Sequence, residues 1–91
     1  MERKEIIKII RKAILQSHIA KAYLFGSFAR SEKKFNDIDI AIEPPKGFTL
    51  MDLARLANNI EEKTGISVDI VTTRSIHPQL KPTIMKEMVA I

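Results

Sequence analysis

With 91 residues, a net charge of +4 and no cysteine, the chain reads as one small domain, 1–91, that buries a single core without disulfides or thiolate metal sites. Hydrophobic residues make up 45% of it and charged residues 29%, which excludes a wholly disordered chain and fits an ordinary solvated surface. The opening MERKEIIKIIRKAIL carries charge throughout its apolar pattern. It is therefore neither a signal-peptide core nor a membrane span, and a cytoplasmic protein with no membrane contact is expected.

Ile6, Ile7, Ile10, Ala13 and Ile14 recur at helical spacing, with Lys4, Lys8, Arg11 and Lys12 mostly opposite them. This predicts an amphipathic helix from Arg3 to about Gln16 whose apolar stripe faces the core. His18 falls in the following loop and is assigned no function. KAYLF, Lys21–Phe25, is a β-prone run that stops at Gly26, where a reversal or a close backbone approach is expected. Ser27 then reads as the N-cap of a short helix through about Lys33, whose free N–H groups could receive phosphate.

In NDIDIAIE, alternation puts Ile38, Ile40 and Ile42 on one face and Asp37, Asp39, Ala41 and Glu43 on the other. That is a half-buried strand, ended by Pro44 and Pro45. Thr49 with Asp52 forms a capping-box pattern, and Leu50, Leu53, Ala54, Leu56, Ala57 and Ile60 supply the apolar face of a long helix that Gly65 stops. Residues 66–71, ISVDIV, read as a third strand with Val68 and Ile70 facing opposite to Ser67, Asp69 and Val71. Beyond Thr72, Pro78 and Pro82 bracket an irregular or helical segment, and 84–91 reads as one helical turn followed by a short terminal strand.

The chemistry resides in the acidic residues. Asp37 and Asp39 project from one face of one strand, and their repulsion has to be relieved by a cation, a proton or exposure. A Mg²⁺ site would relieve it. If the strand of Asp69 lies alongside with the same face outward, a third carboxylate completes a site for two metals on a polyphosphate. Such a site supports in-line displacement at phosphorus. Gly26 would let backbone N–H groups approach the outer phosphates, and Ser27 would add a hydroxyl and a helix N-terminus.

GSFARSEKKFNDIDIAIE followed by SVDIV resembles the nucleotidyltransferase superfamily of DNA polymerase β, marked by a Gly-Ser turn, an Asp-x-Asp strand and a later acidic strand residue. The resemblance runs from about Lys21 to Val71 and is strongest to the minimal nucleotidyltransferases, the MNT proteins. It implies a polymerase β-like α/β (α+β) fold, a short mixed sheet with helices packed on the Ile38/Ile40 face. Gly26 and Ser27 match the phosphate-binding turn, Asp37, Asp39 and Asp69 the metal-binding and catalytic carboxylates, and Arg30 an arginine that contacts phosphate or braces the helix. Ser31 departs from the family, which usually has glycine there. Other members add a domain that grips base or acceptor, for which 91 residues leave no room.

The resemblance further implies ATP as nucleotide donor, two Mg²⁺ ions, and AMP transfer to a hydroxyl. The implied acceptor is a tyrosine of a HEPN-domain toxin, with this chain as antitoxin. A different reading is a binding module that neutralises a toxin by complex formation, its acidic site vestigial. Direct nucleic-acid binding ranks last, because Lys and Arg are interleaved with Glu and aromatic residues are few. Tyr23 and Phe25 read as packing groups, Phe28 as the anchor of the short helix and Glu43 as solvated. His77 is a weak metal-ligand candidate, and Lys33, Lys34 and Arg74 could steer a nucleotide or simply be solvated. Base specificity, acceptor and oligomeric state, a homo-oligomer among the options, stay open.

Overall fold

The computed structural model describes residues 2–30 and 37–91. In chain order it contains α1 (Arg3–Gln16), β1 (Lys21–Phe25), α2 (Gly26–Ala29), β2 (Asp37–Glu43), α3 (Leu50–Thr64), β3 (Ser67–Thr72), a 3-10 turn (Thr73–Ser75), α4 (Lys81–Glu87) and β4 (Val89–Ala90). The strands form one sheet in the order β3-β2-β1-β4. β1 is antiparallel to β2 and to β4, while β2 and β3 are parallel. A parallel pair needs a crossover rather than a hairpin, and α3 supplies it.

Alternation in β2 is what gives the sheet two unlike faces. Ile38, Ile40 and Ile42 are fully buried and share a core with Ala22 and Leu24 of β1, Val68 of β3, Ile6, Ile10 and Ile14 of α1, and Leu56 and Ile60 of α3. α1 and α3 thus cover the isoleucine face, as the sequence predicts. Each such side chain contributes about 1.5–3 kcal/mol by leaving water, so β2 is where a truncation costs most.

The long helix begins and ends as expected. Asp52 N–H donates to Thr49 Oγ1 at 3.2 Å, and Thr49 N–H donates to Asp52 Oδ2 at 2.8 Å, closing the capping box. Gly65 ends the helix at φ 71°, a left-handed conformation that favours glycine. Glu61 Oε1 accepts from Val68 N–H at 2.8 Å, tying α3 to the strand that follows. Leu50 is 84% exposed and Ala54 is exposed too, so the apolar face of α3 is narrower than the pattern suggested.

Two boundaries differ from the sequence reading. The N-cap of α2 is Phe25, extended and without a side-chain cap bond, rather than Ser27. The reversal falls at Gly26, as expected, with φ 75°, and the helix starts there, which places Ser27 inside it. The described helix runs only Gly26–Ala29; its expected continuation through Lys33 lies outside the described residues, as do Ser31, Lys33 and Lys34 themselves. β3 spans Ser67–Thr72, one residue later than predicted, because Ile66 N–H is engaged by Thr64 Oγ1 at 3.2 Å.

At the C-terminus the helix is longer than the single turn expected. Pro82 falls in the first turn of α4, where its missing N–H costs nothing, so it starts the helix instead of barring it. The short terminal strand is present: Val89 and Ala90 pair with Leu24 and Tyr23, and Ile91 N–H donates to Ala22 O at 3.0 Å. Among the described residues no helix is long and apolar enough to cross a membrane.

Candidate active site

Sheet register assembles the acidic residues. Asp39 sits directly opposite Asp69 in the β2–β3 pair and opposite Phe25 in the β1–β2 pair. Neighbouring strands lie about 4.8 Å apart, so the Asp39 and Asp69 stems are immediate neighbours. Asp37, opposite Ser67, is two residues along β2 on the same face, about 7 Å away. All three project opposite to Ile38 and Ile40, because side chains alternate across a strand. Asp37 and Asp69 are exposed and Asp39 is half-buried.

The half-burial of Asp39 comes from the turn. A Cβ built on Gly26 would run into Asp39 Oδ2 and stand 3.3 Å from Asp39 Cγ. The carboxylate therefore occupies the space a side chain at residue 26 would fill, and the positive φ favours glycine for a second reason. Burial, then the Asp69 and Asp37 carboxylates, hold the Asp39 proton affinity above the usual carboxylate value of 3.8, while the Arg30 guanidinium acts in the opposite sense. Arg30 N–H donates to Gly26 O at 3.1 Å, which closes the turn of α2 and sets that guanidinium near the acidic face.

Could these residues hold a divalent cation? Among the described residues no three acidic or imidazole groups are close enough to enclose one ion. The paired Asp39 and Asp69 fit a less enclosed site. Mg²⁺ is usually bound by one or two carboxylates, with water and substrate phosphates supplying the remaining oxygens. A hard cation there would offset the repulsion between the neighbouring Asp39 and Asp69 carboxylates, which face each other across the β2–β3 pair.

Arg3 is a residue the sequence reading did not single out. Its Nη1 donates to the Phe28 carbonyl, and its guanidinium lies 4.4 Å from the centroid of the Phe28 ring. Phe28 itself has no exposed surface, so α2 is anchored by its ring and held by α1 from outside. No local signal could reveal this, since 25 residues separate the pair.

Other candidates fall elsewhere. Tyr23 and Phe25 are half-buried on the carboxylate face rather than in the core. His77 is exposed, and its Nδ1 accepts from Gln79 N–H at 3.2 Å, a local turn contact. Arg74 is exposed in the 3-10 turn. A cavity of about 540 Å³ beside Lys46, Phe48 and Arg55 lies against α3, on the helical side of the sheet, and its Asp52 is already engaged in the capping box.

The profile of the polymerase beta nucleotidyltransferase family matches residues 4–91. The chain belongs to this family. A Methanocaldococcus jannaschii protein named as a candidate protein adenylyltransferase is 42% identical over 92 residues, covering 100% of this chain and 99% of its own length. Among solved structures, a candidate minimal nucleotidyltransferase superposes with a TM-score of 0.83 at 28% identity, over 100% of this chain and 97% of its own. A chain from the complex of a tri-AMPylated Shewanella oneidensis HEPN toxin with an MNT antitoxin gives 0.65 at 26% identity, over 97% of this chain and 66% of its own. The fold is thus the polymerase β-like one, and this enzyme is a nucleotidyltransferase.

Proposed function

We propose that this nucleotidyltransferase moves AMP from ATP to a tyrosine hydroxyl of a HEPN-domain partner in a Mg²⁺-dependent reaction, and that it acts in the cytoplasm as the antitoxin of that partner. The observation that carries the reading is the pairing of Asp39 with Asp69 beside the bare Gly26 turn. The adenylyltransferase name of the Methanocaldococcus jannaschii relative supports AMP as the group transferred. The AMPylated HEPN toxin of the Shewanella oneidensis complex supports the partner.

In the reaction the phenolic oxygen attacks the α-phosphorus of ATP, the bond to the bridging oxygen breaks, and pyrophosphate leaves with that electron pair. Gly26 leaves room for the Asp39 carboxylate beside the turn that faces the outer phosphates, Ser27 offers a hydroxyl beside them, and Arg30 offsets their charge. Asp39 and Asp69 would hold Mg²⁺, with Asp37 farther along β2 available to a second ion, and bound Mg²⁺ would neutralise charge on the leaving group and lower the proton affinity of the attacking hydroxyl. Asp69, exposed on the edge strand, stands on the side open to an incoming acceptor.

The test is label transfer. Wild type and Asp37→Asn are incubated with Mg²⁺, α-labelled ATP and the co-encoded partner. Label should appear on the partner with wild type alone and disappear when its acceptor tyrosine is changed to phenylalanine. Neutralisation of the partner that survives Asp37→Asn, with no label transferred by wild type, would favour inhibition by complex formation alone.

A further inference from the structure

Beyond Asp39, the carboxylate face continues into a cavity of about 360 Å³, a volume within the range of small-molecule sites. Its walls include Tyr23 and Glu43 from the sheet and Ile76, Lys81, Met85 and Met88 from the segment that folds back over it. Register fixes where it lies. Tyr23 pairs with Ala41, which is the next residue after Asp39 on this face of β2, and with Ala90 of β4 on its other side. Ala41 has no exposed surface although it belongs to the same face as the exposed Asp37. The face is therefore open at the carboxylates and covered one pleat repeat farther on, about 7 Å away.

α4 does the covering. It also comes beside α2, so one helix runs from the neighbourhood of the Gly26–Ser27 turn to the cavity wall. The wall chemistry is that of a planar, partly polar ligand: an aromatic ring and two thioethers for the faces of a heterocycle, with one carboxylate and one ammonium for its edge. Glu43 can accept from an exocyclic amine, and Lys81 can donate to a ring nitrogen or carbonyl.

We propose that this cavity is the base subsite, in which the purine of the donor nucleotide lies between Tyr23 and α4 while its triphosphate lies along Asp39 and the Gly26 turn. This deepens the reading above and rests on it. The spacing favours the donor base over the acceptor ring. An acceptor must bring its hydroxyl to the carboxylates, whereas a group seated here is displaced from them by about the span of a ribose. Purines fit better than pyrimidines, because the larger ring system reaches both the aromatic wall and the Glu43/Lys81 edge. Glu43 and Lys81 take no part in the phosphate chemistry derived above, so base reading is separable from catalysis.

The experiment measures equilibrium binding, with Mg²⁺ present, of an uncleavable ATP analogue, the matching GTP, CTP and UTP analogues, and inorganic tripolyphosphate. The proteins compared are wild type, Tyr23→Ala, Met85→Ala and Glu43→Gln. Met85 is 58% exposed, so its truncation should leave the fold intact even if that of Tyr23 does not. Wild type should prefer the purine analogues. Tyr23→Ala and Met85→Ala should weaken them by about tenfold, in the range of one lost base contact, with tripolyphosphate unchanged, and Glu43→Gln should narrow the gap between purines and pyrimidines. Unchanged purine affinity in both truncations would overturn the subsite, as would equal weakening of tripolyphosphate, which would mean that the variants act through the fold. Wild type that binds tripolyphosphate and all four analogues equally would also overturn it while leaving phosphate binding standing. Wild type that binds none of these probes would overturn the nucleotide reading itself.

Discussion

The Asp39 carboxylate occupies the place where a side chain on Gly26 would be, with Asp39 Cγ 3.3 Å from that Cβ position. The phosphate turn and the acidic strand are thus packed through a missing side chain, and a methyl group at residue 26 would have to displace the carboxylate.

Gly26→Ala should therefore do two kinds of damage. The left-handed φ of 75° costs an L-residue about 1–2 kcal/mol, and the displaced Asp39 should lower transfer on the order of a hundredfold, the effect of about 1 Å of misplacement. Gly65→Ala is the control. Its φ is 71° but nothing lies within 4 Å of the added Cβ, so it should show the backbone penalty in denaturant unfolding with transfer unchanged.

Asp39 should make the folded protein less stable as pH rises. Its proton affinity is raised on folding, by burial first and by Asp69 and Asp37 next, so the native state binds more protons than the unfolded one. Stability then falls from the ordinary carboxylate value of 3.8 up to the raised native value, and is flat above it. Asp52 runs the other way. Its affinity is lowered by the backbone and side chain of Thr49, so its contribution is present above 3.8 and is lost as pH falls through the lowered native value. Unfolding free energy measured against pH in wild type, Asp39→Asn and Thr49→Ala should separate the two slopes.

At neutral pH, Asp39→Asn should match or exceed wild type in thermal stability, since it removes a like charge from a half-buried site. Its transfer should fall by on the order of a hundredfold or more, because metal-assisted charge stabilisation is worth several kcal/mol. Added Mg²⁺ should raise the Tm of wild type and leave that of Asp39→Asn nearly unchanged, as expected of a ligand that binds only the native state.

Arg30→Gln should shift the pH dependence of transfer upward. The guanidinium lowers the proton affinity of Asp39, and without it a higher pH is needed to free the carboxylate. A pH–rate profile whose rising limb does not move would show that deprotonation of Asp39 does not limit the reaction.

Arg3→Ala should cost about 2–4 kcal/mol, the combined worth of one charged hydrogen bond and one cation–π contact. It should also weaken ATP binding more than it changes kcat, because α2 carries the phosphate turn. Arg3→Lys should restore part of the stability but not the planar stacking over Phe28.

Local chemistry determined much of this protein before any folding was considered. Thr49 and Asp52 cap their own helix, Gly65 ends it, and the isoleucine alternation sorts the β2 carboxylates onto one face, since each effect acts within a few residues along the chain. Ser27 and Pro82 show the limit of such reasoning. Both are sensible boundary residues, yet α2 already starts at Gly26 and takes Ser27 inside it, and Pro82 starts a helix that packs back over the sheet. Tyr23 and Phe25 likewise alternate as predicted, but which face is core depends on where α1 and α3 settle.

Sequence alone therefore established three aspartates of matching strand parity and a glycine turn. Only the tertiary structure decided that Asp69 stands opposite Asp39, that Asp39 rests against Gly26, and that Arg3 clamps Phe28. The reason is physical. Parity and capping follow from backbone geometry within one element, whereas register, partner strands and contacts across the layers come from burying all the isoleucine faces at once.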